Sequence, residues 1–581
     1  MSIPLRHQLT RRAWLLAPLV AAVGLACAPI HGSAASAPAV WACGESLKVK
    51  PELAPQERNS VWDAATGAIT LHGARGEYVG FQVVPCAGNS PLEQVEVRIS
   101  ALRGPGGAAL AAENIDRFRQ HYLKVTVPSE FEKGHPVPES AAGEFPVQMV
   151  PLREGKPGQT FSVPAGRNQP VWIDLFIPEG QAPGDYAGEV EVVAAGQPLA
   201  KLPLRLTVWR FTLPRETHLK TFIPAGPELL QWAFGLDRGD EAGLAALEDR
   251  FFQMAHQHRL NFQPSADDDL AAEWGGRYPK YLDGSAFKTR AGIGAGQNLL
   301  VTGTGEGETK AEVVAHVRRA YDWWKALPKK PDLVCYVYDE PSDDEEFKIA
   351  AERARWIREA LGPELPLLVA TTQPRRLPPG LINAWGELPA PEVAPRQAAG
   401  ERIWATNFGY AGGPYVDTPG YAGRSQGWMA WKMKLDAWHF WDSCYWVDRQ
   451  NLRGPDGKRI ATRTIWENPA KYLLDTWKEP LTYDQFRDPK QKYAIRINGD
   501  GVLFYPGTGV GLQEPIAGFT MKSLRRGLQD YEYLWLLAKA GKPADDVVNR
   551  VTPKPNEWAR DPDAWDAARL ELGRRLDALA E

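Results

Sequence analysis

Apolar and polar positions along this chain follow two periods. Between about residues 38 and 214 they alternate, or run apolar, over strand lengths, as at 80–85, 95–99, 171–177, 189–193 and 204–208. Turn formers such as Pro183-Gly184-Asp185 separate them, which is the pattern of a β-sandwich. Residues 128–151, with several Pro and Gly, predict a long excursion toward a neighbouring domain. After Leu213-Pro214 the pattern changes. Strand-like runs at 219–223, 260–262, 367–371, 403–406, 438–441 and 501–505 interleave with helical periods at 241–256, 312–327, 428–435 and 520–537. Repeated βα units predict a parallel sheet closed as a (β/α)8-type (TIM-like) barrel. The expected organisation is multidomain, β followed by α/β: a sandwich at 38–214, a barrel at 215–542, and a helical tail at 543–581 packed on the barrel.

One stretch stands out within that pattern. Leu333-Val334-Cys335-Tyr336-Val337-Tyr338 reads as a fully buried strand of a parallel sheet, and Asp339-Glu340-Pro341 follows at its C-terminal end. Proline stops the ladder and is expected to hold Glu340 extended. Ser342 with Glu345 predicts a capping box, opening a helix whose apolar face repeats through Phe347, Ala350, Ala354, Ile357 and Leu361. Open α/β folds and barrels carry their chemistry at such strand ends.

Length changes the picture little: 581 residues are too many for one core and suit two or three domains. Composition adds 22 Trp, whose flat faces suit sugar stacking and core packing equally. The net charge of −4, without a basic face or run, argues against a nucleic-acid partner. The first 37 residues read as a signal peptide. Arg6, Arg11 and Arg12 precede an apolar stretch at 14–26 and the small-residue site Ala35-Ser36-Ala37. Thr10-Arg11-Arg12-Ala13-Trp14-Leu15 looks like a twin-arginine signal, so export to the periplasm or exterior is expected, ordinary secretion being the alternative. An exported location permits disulfides, and Cys43 and Cys86, in one predicted domain, are candidates to pair. Cys335 and Cys444 read as small buried hydrophobes. No other run reaches membrane-spanning length.

The adjacent acids carry the chemistry. Most glycosidases place two carboxylates on separate strands, ~5–5.5 Å apart for retention or ~6.5–9.5 Å for inversion. Neighbours leaving one strand suit substrate-assisted hydrolysis better, with the sugar's own 2-acetamido oxygen as nucleophile. One carboxylate then orients the acetamido N–H, and its neighbour serves as general acid and base. An acidic turn before a capped helix is the plainer alternative.

Three stretches carry a resemblance. Tyr336-Val337-Tyr338-Asp339-Glu340-Pro341 resembles the catalytic signature of glycoside hydrolase family 123 and of the related domain-of-unknown-function 4091 proteins. Gly427-Trp428-Met429-Ala430-Trp431-Lys432, with Phe440-Trp441-Asp442 and Tyr445-Trp446, resembles that group's Trp-rich late-barrel segment. Asn498-Gly499-Asp500-Gly501 through Pro506-Gly507, followed by the Leu524 to Leu534 stretch, resembles its C-terminal hallmark. The sandwich likewise resembles the domain ahead of such barrels. The resemblance implies retaining β-N-acetylgalactosaminidase chemistry without cofactor, with Asp339 orienting the acetamido group and Glu340 as general acid/base.

Tyr338, Trp404, Trp441, Asp442, Trp446, Asp500 and Tyr505 are further candidates to line a sugar subsite, each with an alternative role in packing or a turn. Arg525, Asp530 and Glu532 share one helix and suit an internal ion network. The glycine-rich stretches at 292–296 and 303–307 lack dinucleotide-loop spacing and read as loops near the barrel mouth. His256 and His258 lack a third ligand, so no metal is expected. Two rival functions remain at this level. One is a glycosidase of unacetylated sugars pairing Glu340 with a distant acid such as Asp442; the other is an inactive carbohydrate-binding protein on the same fold.

Overall fold

The computed structural model describes residues 37–131, 135–155, 158–264, 269–290, 294–305, 307–407, 409–446, 465–467, 470–473 and 495–580. The expected export signal lies outside the described residues. Two sheets make up the N-terminal part, the first antiparallel and the second mixed. One has five strands in the order Ala39–Gly44, Glu77–Cys86, Val171–Ile177, Ile115–Val125, Gly143–Pro151. The other is built around Leu92–Ile99, Gly184–Ala194, Gln197–Thr212 and Ala68–Arg75, the last two pairing in parallel. Their facing side chains, among them Phe81, Val83, Val97, Ile173, Leu175, Val190 and Leu204, make one apolar core. This is the expected sandwich.

Register excludes the expected disulfide. Cys43 lies opposite Gln82, and Cys86 opposite Ala39. Four ladder positions separate the thiols, about 13 Å of strand, against a limit near 7 Å for bridging. Both are free. Cys335 and Cys444 are buried as expected.

Eight parallel strands follow: β1 (Lys220–Pro224), β2 (Phe262–Gln263), β3 (Leu299–Thr302), β4 (Asp332–Asp339), β5 (Leu367–Ala370), β6 (Ala384–Gly386), β7 (Arg402–Thr406) and β8 (Ala437–His439). They pair in the order β2-β1-β8-β7-β6-β5-β4-β3. Phe222, Leu299, Val301, Val334, Leu368, Ala384, Trp404 and Ala437 fill the interior, so the barrel is a packed core. Between β2 and β3 a side chain closes the ring. Gln263 Nε2 donates to the Val301 carbonyl at 2.7 Å, and the Val301 N–H donates to Gln263 Oε1 at 3.0 Å.

Three expectations change. Strands β3 and β6, only four and three residues long, are too short to show a period. The stretch at 501–505 is not a barrel strand: Phe504–Pro506 pairs antiparallel with Pro515–Ala517 in a separate hairpin. The glycine-rich stretch ending at Gly296 leads into the N-terminal end of β3, away from the mouth, whereas Gly303 leaves its C-terminal end.

Helices α1 (Asp344–Leu361), α2 (Tyr421–Met433), α3 (Phe519–Lys539) and α4 (Pro562–Leu579) matter for the site and its bracing. Helices α2 and α3 cross so closely that a Cβ on Gly427 would come within 2.1 Å of the Gly527 carbonyl oxygen. No helix among the described residues is long and apolar enough to cross a membrane. Residues Ala37–Glu581 form one compact unit, and the sandwich and barrel meet along α3. Every residue of Val171–Ile177 is buried because α3 covers the sheet's second face. Asp174, mid-strand, accepts from Lys522 Nζ at 2.5 Å and from both terminal nitrogens of Arg525. Glu77 accepts from Arg526, Tyr533 and Arg569, and Asp530 from Arg424 and Arg569. The ion network expected of this helix exists, and it ties the two sheet systems together. The tail contributes: α4 supplies Arg569, and Asp577 accepts from Arg210 of the sandwich. It therefore bonds both to the sandwich and to α3. The excursion at 128–151 also reaches across. Ser129 donates to Asp417 and Glu139 accepts from Tyr421 and Trp558, while Gly143–Pro151 returns as an edge strand.

Candidate active site

Strand β4 is not uniformly buried. Leu333, Cys335 and Val337 face the helices, whereas Val334 and Tyr336 face the interior. Opposite β5, Tyr336 pairs with Leu368 and Tyr338 with the next residue, Val369. This leaves Val337 as an extra residue in a β-bulge, the device that re-aims side chains at strand ends. Tyr338 consequently packs on the outer, helix-facing core, where burial and then the charge of Glu346 raise its pKa. It does not face the barrel opening as a sugar-lining residue would. Asp339 turns toward Tyr336, whose hydroxyl donates to Asp339 Oδ1 at 2.6 Å.

Glu340 is exposed, and its backbone departs from expectation. Its φ is +44°, left-handed instead of the extended form expected before proline. Such a conformation costs a non-glycine residue about 1–3 kcal/mol. The Glu340 N–H donates to the Ala370 carbonyl at the end of β5 at 3.1 Å. That bond holds the turn. The helix cap also shifts: Asp343 is the N-cap of α1, accepting from Glu346 N, and the Glu346 carboxylate reaches back to Ser342. The cap is thus Asp343, one residue after Ser342.

The sequence reading missed a third carboxylate. Glu387 follows β6 with φ +58°. Burial, then the charge of Glu340, push the Glu387 carboxyl up to about 8. The only signal available was an acid after Ala384-Trp385-Gly386, a run too short to be read as a strand. Asn407, after β7, is also left-handed at φ +57°. Strained residues thus gather at the C-terminal mouth of the barrel. His439, ending β8, stacks on Phe222 at 5.0 Å and meets Tyr336 edge-on at 6.1 Å. Burial lowers its pKa to about 3, so it stands neutral behind the phenol.

The remaining candidates separate. Trp441, partly buried past the end of β8, is braced on both sides: its backbone N–H donates to Asn407 Oδ1 and its indole N–H to Asp500 Oδ1, each at 3.1 Å. Asp500 is therefore a buried support for Trp441. Asp442 is buried, and its Oδ1 accepts from the Cys444 N–H at 2.9 Å. Trp404, 2% exposed, fills the barrel. Trp446, 1% exposed, packs on Phe234 and Phe251 and donates its indole N–H to the Phe504 carbonyl. Tyr505 is buried in the hairpin beside Trp466. Trp404, Trp446 and Tyr505 offer no open ring face, because the apolar runs that made them conspicuous are core.

A packed parallel barrel thus carries carboxylates at its C-terminal mouth and is joined to a β-sandwich. Residues 55–194 match the family model described as the glycoside hydrolase 123 N-terminal domain. The whole fold is similar to that of a family 123 glycoside hydrolase from Clostridium perfringens, the subject of a study of glycolipid glycan hydrolysis. The TM-score is 0.61 at 11% identity, over 94% of this chain and 98% of that one. A Bacteroides ovatus GH5 xyloglucanase is far more distant, with a TM-score of 0.23 and 9% identity over 66% of this chain and 93% of that one. Curated proteins compared by sequence give no match. Residues 55–194 thus carry the glycoside hydrolase 123 N-terminal domain, and the chain shares the sandwich-plus-barrel fold of a family 123 glycoside hydrolase.

Proposed function

We propose that this chain is a glycoside hydrolase, a retaining β-N-acetylhexosaminidase, galactosaminidase-like, working by substrate-assisted catalysis. The observation that carries this reading is the different company kept by two neighbouring carboxyl groups: Asp339 accepts from a phenol, while the charge of Glu340 helps burial to raise the Glu387 carboxyl. Asp339 suits the role of an acceptor-only carboxylate that takes the acetamido N–H and opposes the positive charge growing on the ring of the intermediate. Glu340, exposed at the mouth, delivers a proton to the leaving oxygen and later takes one from water. A two-carboxylate displacement fits less well. Asp442, the distant acid considered as a partner for Glu340, is buried and accepts from a backbone N–H. Trp441 offers a braced aromatic face beside the opening. A glycolipid glycan, the material named for the Clostridium perfringens enzyme, is a reasonable natural substrate class. The twin-arginine-like segment supports export, which fractionation of producing cells tests.

The expected result is dependence on the acetamido group. An aryl β-N-acetylgalactosaminide should be hydrolysed at least ~10³-fold faster than the matching unacetylated galactoside, since an internal nucleophile replaces a bimolecular one. Comparable kcat/KM for the two substrates would refute the reading.

A further inference from the structure

We propose that the cavity between the sandwich's excursion and the tail is a second sugar site, which holds a neutral sugar of the leaving group against Trp558. This rests on the hexosaminidase reading above: such an enzyme removes a terminal sugar, so the rest of the glycan lies on the leaving-group side. The cavity has a volume of about 550 Å³ and is lined by Val137 and Pro138 of the excursion, Ala411 and Gly413 beyond β7, and tail residues between 553 and 560. Its size falls within the range of small-ligand pockets.

The contacts of these three segments place the cavity beside the barrel mouth. The loop after β7, which ends at Thr406, belongs to the mouth face of the barrel. Tyr410 in that loop donates its hydroxyl to the Leu388 carbonyl at 2.6 Å, one residue past Glu387. The Asn556 N–H donates to the Tyr410 carbonyl at 2.8 Å. One tyrosine therefore separates the cavity wall from the acid at the end of β6. The excursion is tied to the same face. Ser129 and Asn498 both donate to the Asp417 carboxylate, and Asn498 lies two residues before Asp500, the support of Trp441.

Trp558 is held in a fixed orientation. It packs against the tail's apolar core yet is only partly buried. Its indole N–H donates to Glu139 Oε2 at 3.0 Å. Glu139 also accepts from the Tyr421 hydroxyl at 2.7 Å and pairs with Arg560 at 3.6 Å. Glu139 sits at φ +66° and Asn556 at φ +62°. Glutamate keeps such a backbone only where its surroundings impose it, and strained residues of this kind gather at ligand clamps. An apolar anchor for the tail would not need a strained carboxylate sent across from the sandwich to fix one ring.

The groups around the ring suit a neutral sugar. An indole face takes the apolar C–H face of a pyranose, while the sugar's hydroxyls need both donors and acceptors. Asn556, Glu557 and Arg560, all exposed and all lining the cavity, supply an amide, a carboxylate and a guanidinium. Glu557 and Arg560 are already paired, with Lys554 and Glu139. The lining therefore holds no surplus charge to favour an acidic unit.

The test compares an aryl β-N-acetylgalactosaminide with a tetrasaccharide that carries the same terminal sugar on three neutral ones. In Trp558→Ala the ratio of kcat/KM for the tetrasaccharide to that for the aryl glycoside falls about 10-fold, through KM with kcat kept. Trp558→Phe keeps a ring face and recovers most of the ratio. In the wild type the tetrasaccharide shifts the nuclear magnetic resonance of the Trp558 indole N–H, which is assigned by its loss from Trp558→Phe. A ratio unmoved in Trp558→Ala, or an indole resonance unmoved by the tetrasaccharide, overturns the proposal. If the wild type cleaves neither substrate but the resonance shifts, the hexosaminidase reading fails and the cavity stands as a glycan-binding site. If the aryl glycoside is cleaved and the resonance stays in place, only the proposal fails.

Discussion

Glu340→Gln is expected to lower kcat/KM for a 2-acetamido glycoside with a poor leaving group by about 10²–10⁴-fold. The amide is the same size and sits at the same exposed strand end, but cannot donate a carboxyl proton. The loss shrinks with an activated aryl leaving group, because the first step then needs no acid. Azide restores turnover of that combination, since it attacks the intermediate without a general base. Asp339→Asn should fall as far on both kinds of substrate, and azide should not help, because the charge opposing the intermediate is gone while Tyr336 remains in place. Steady-state kinetics with the two leaving groups decides the matter. Retention of near wild-type kcat/KM by either variant with the poor leaving group would remove that residue from the mechanism.

The largest effect on stability is expected far from the mouth. Asp174→Asn keeps the shape of a fully buried side chain but leaves Lys522 and Arg525 without their anion. Removing one partner of a buried charge cluster costs about 3–5 kcal/mol, read as a fall in the denaturation midpoint with urea. Burial alone would raise the Asp174 carboxyl, but Arg525 and Lys522, by charge and hydrogen bonding, hold it well below the usual range. A carboxyl depressed on folding contributes stability above its unfolded value of 3.8, and that contribution is lost as pH falls below it. The acid limb of wild-type stability should therefore flatten in the variant. A change under about 1 kcal/mol would show that the seam is held by packing instead.

These two sites differ in how far the sequence exposes them. The Asp339-Glu340 pair was legible because a long apolar run ends in charge, which needs no tertiary knowledge. The sandwich strands and most barrel strands were legible for the same reason, and residues 520–537 showed a helical face with Arg525, Asp530 and Glu532 placed for an ion network. Glu387 was not legible: its strand has three residues, below any period, and its meaning comes from lying two strands from Glu340. Trp404, Trp446 and Tyr505 misled in the opposite direction. An aromatic in a late-barrel motif looks the same in sequence whether it faces a sugar or the core, and only the strand phase separates the two. The bulge at Val337 shifts that phase by one residue within the motif itself, which is why Tyr338 faces away and Asp339 faces in.

The left-handed turn at Glu340 has a consequence for anyone selecting improved versions of this protein. At a position with φ of +44°, glycine is the relaxed occupant and every side chain is tolerated under protest. Of two variants that both lack the carboxylate, Glu340→Gly should melt later than Glu340→Ala, by about 1 kcal/mol of folding free energy, and neither should turn over an unactivated substrate. A library screened for heat resistance alone will therefore enrich for inactive chains at this codon.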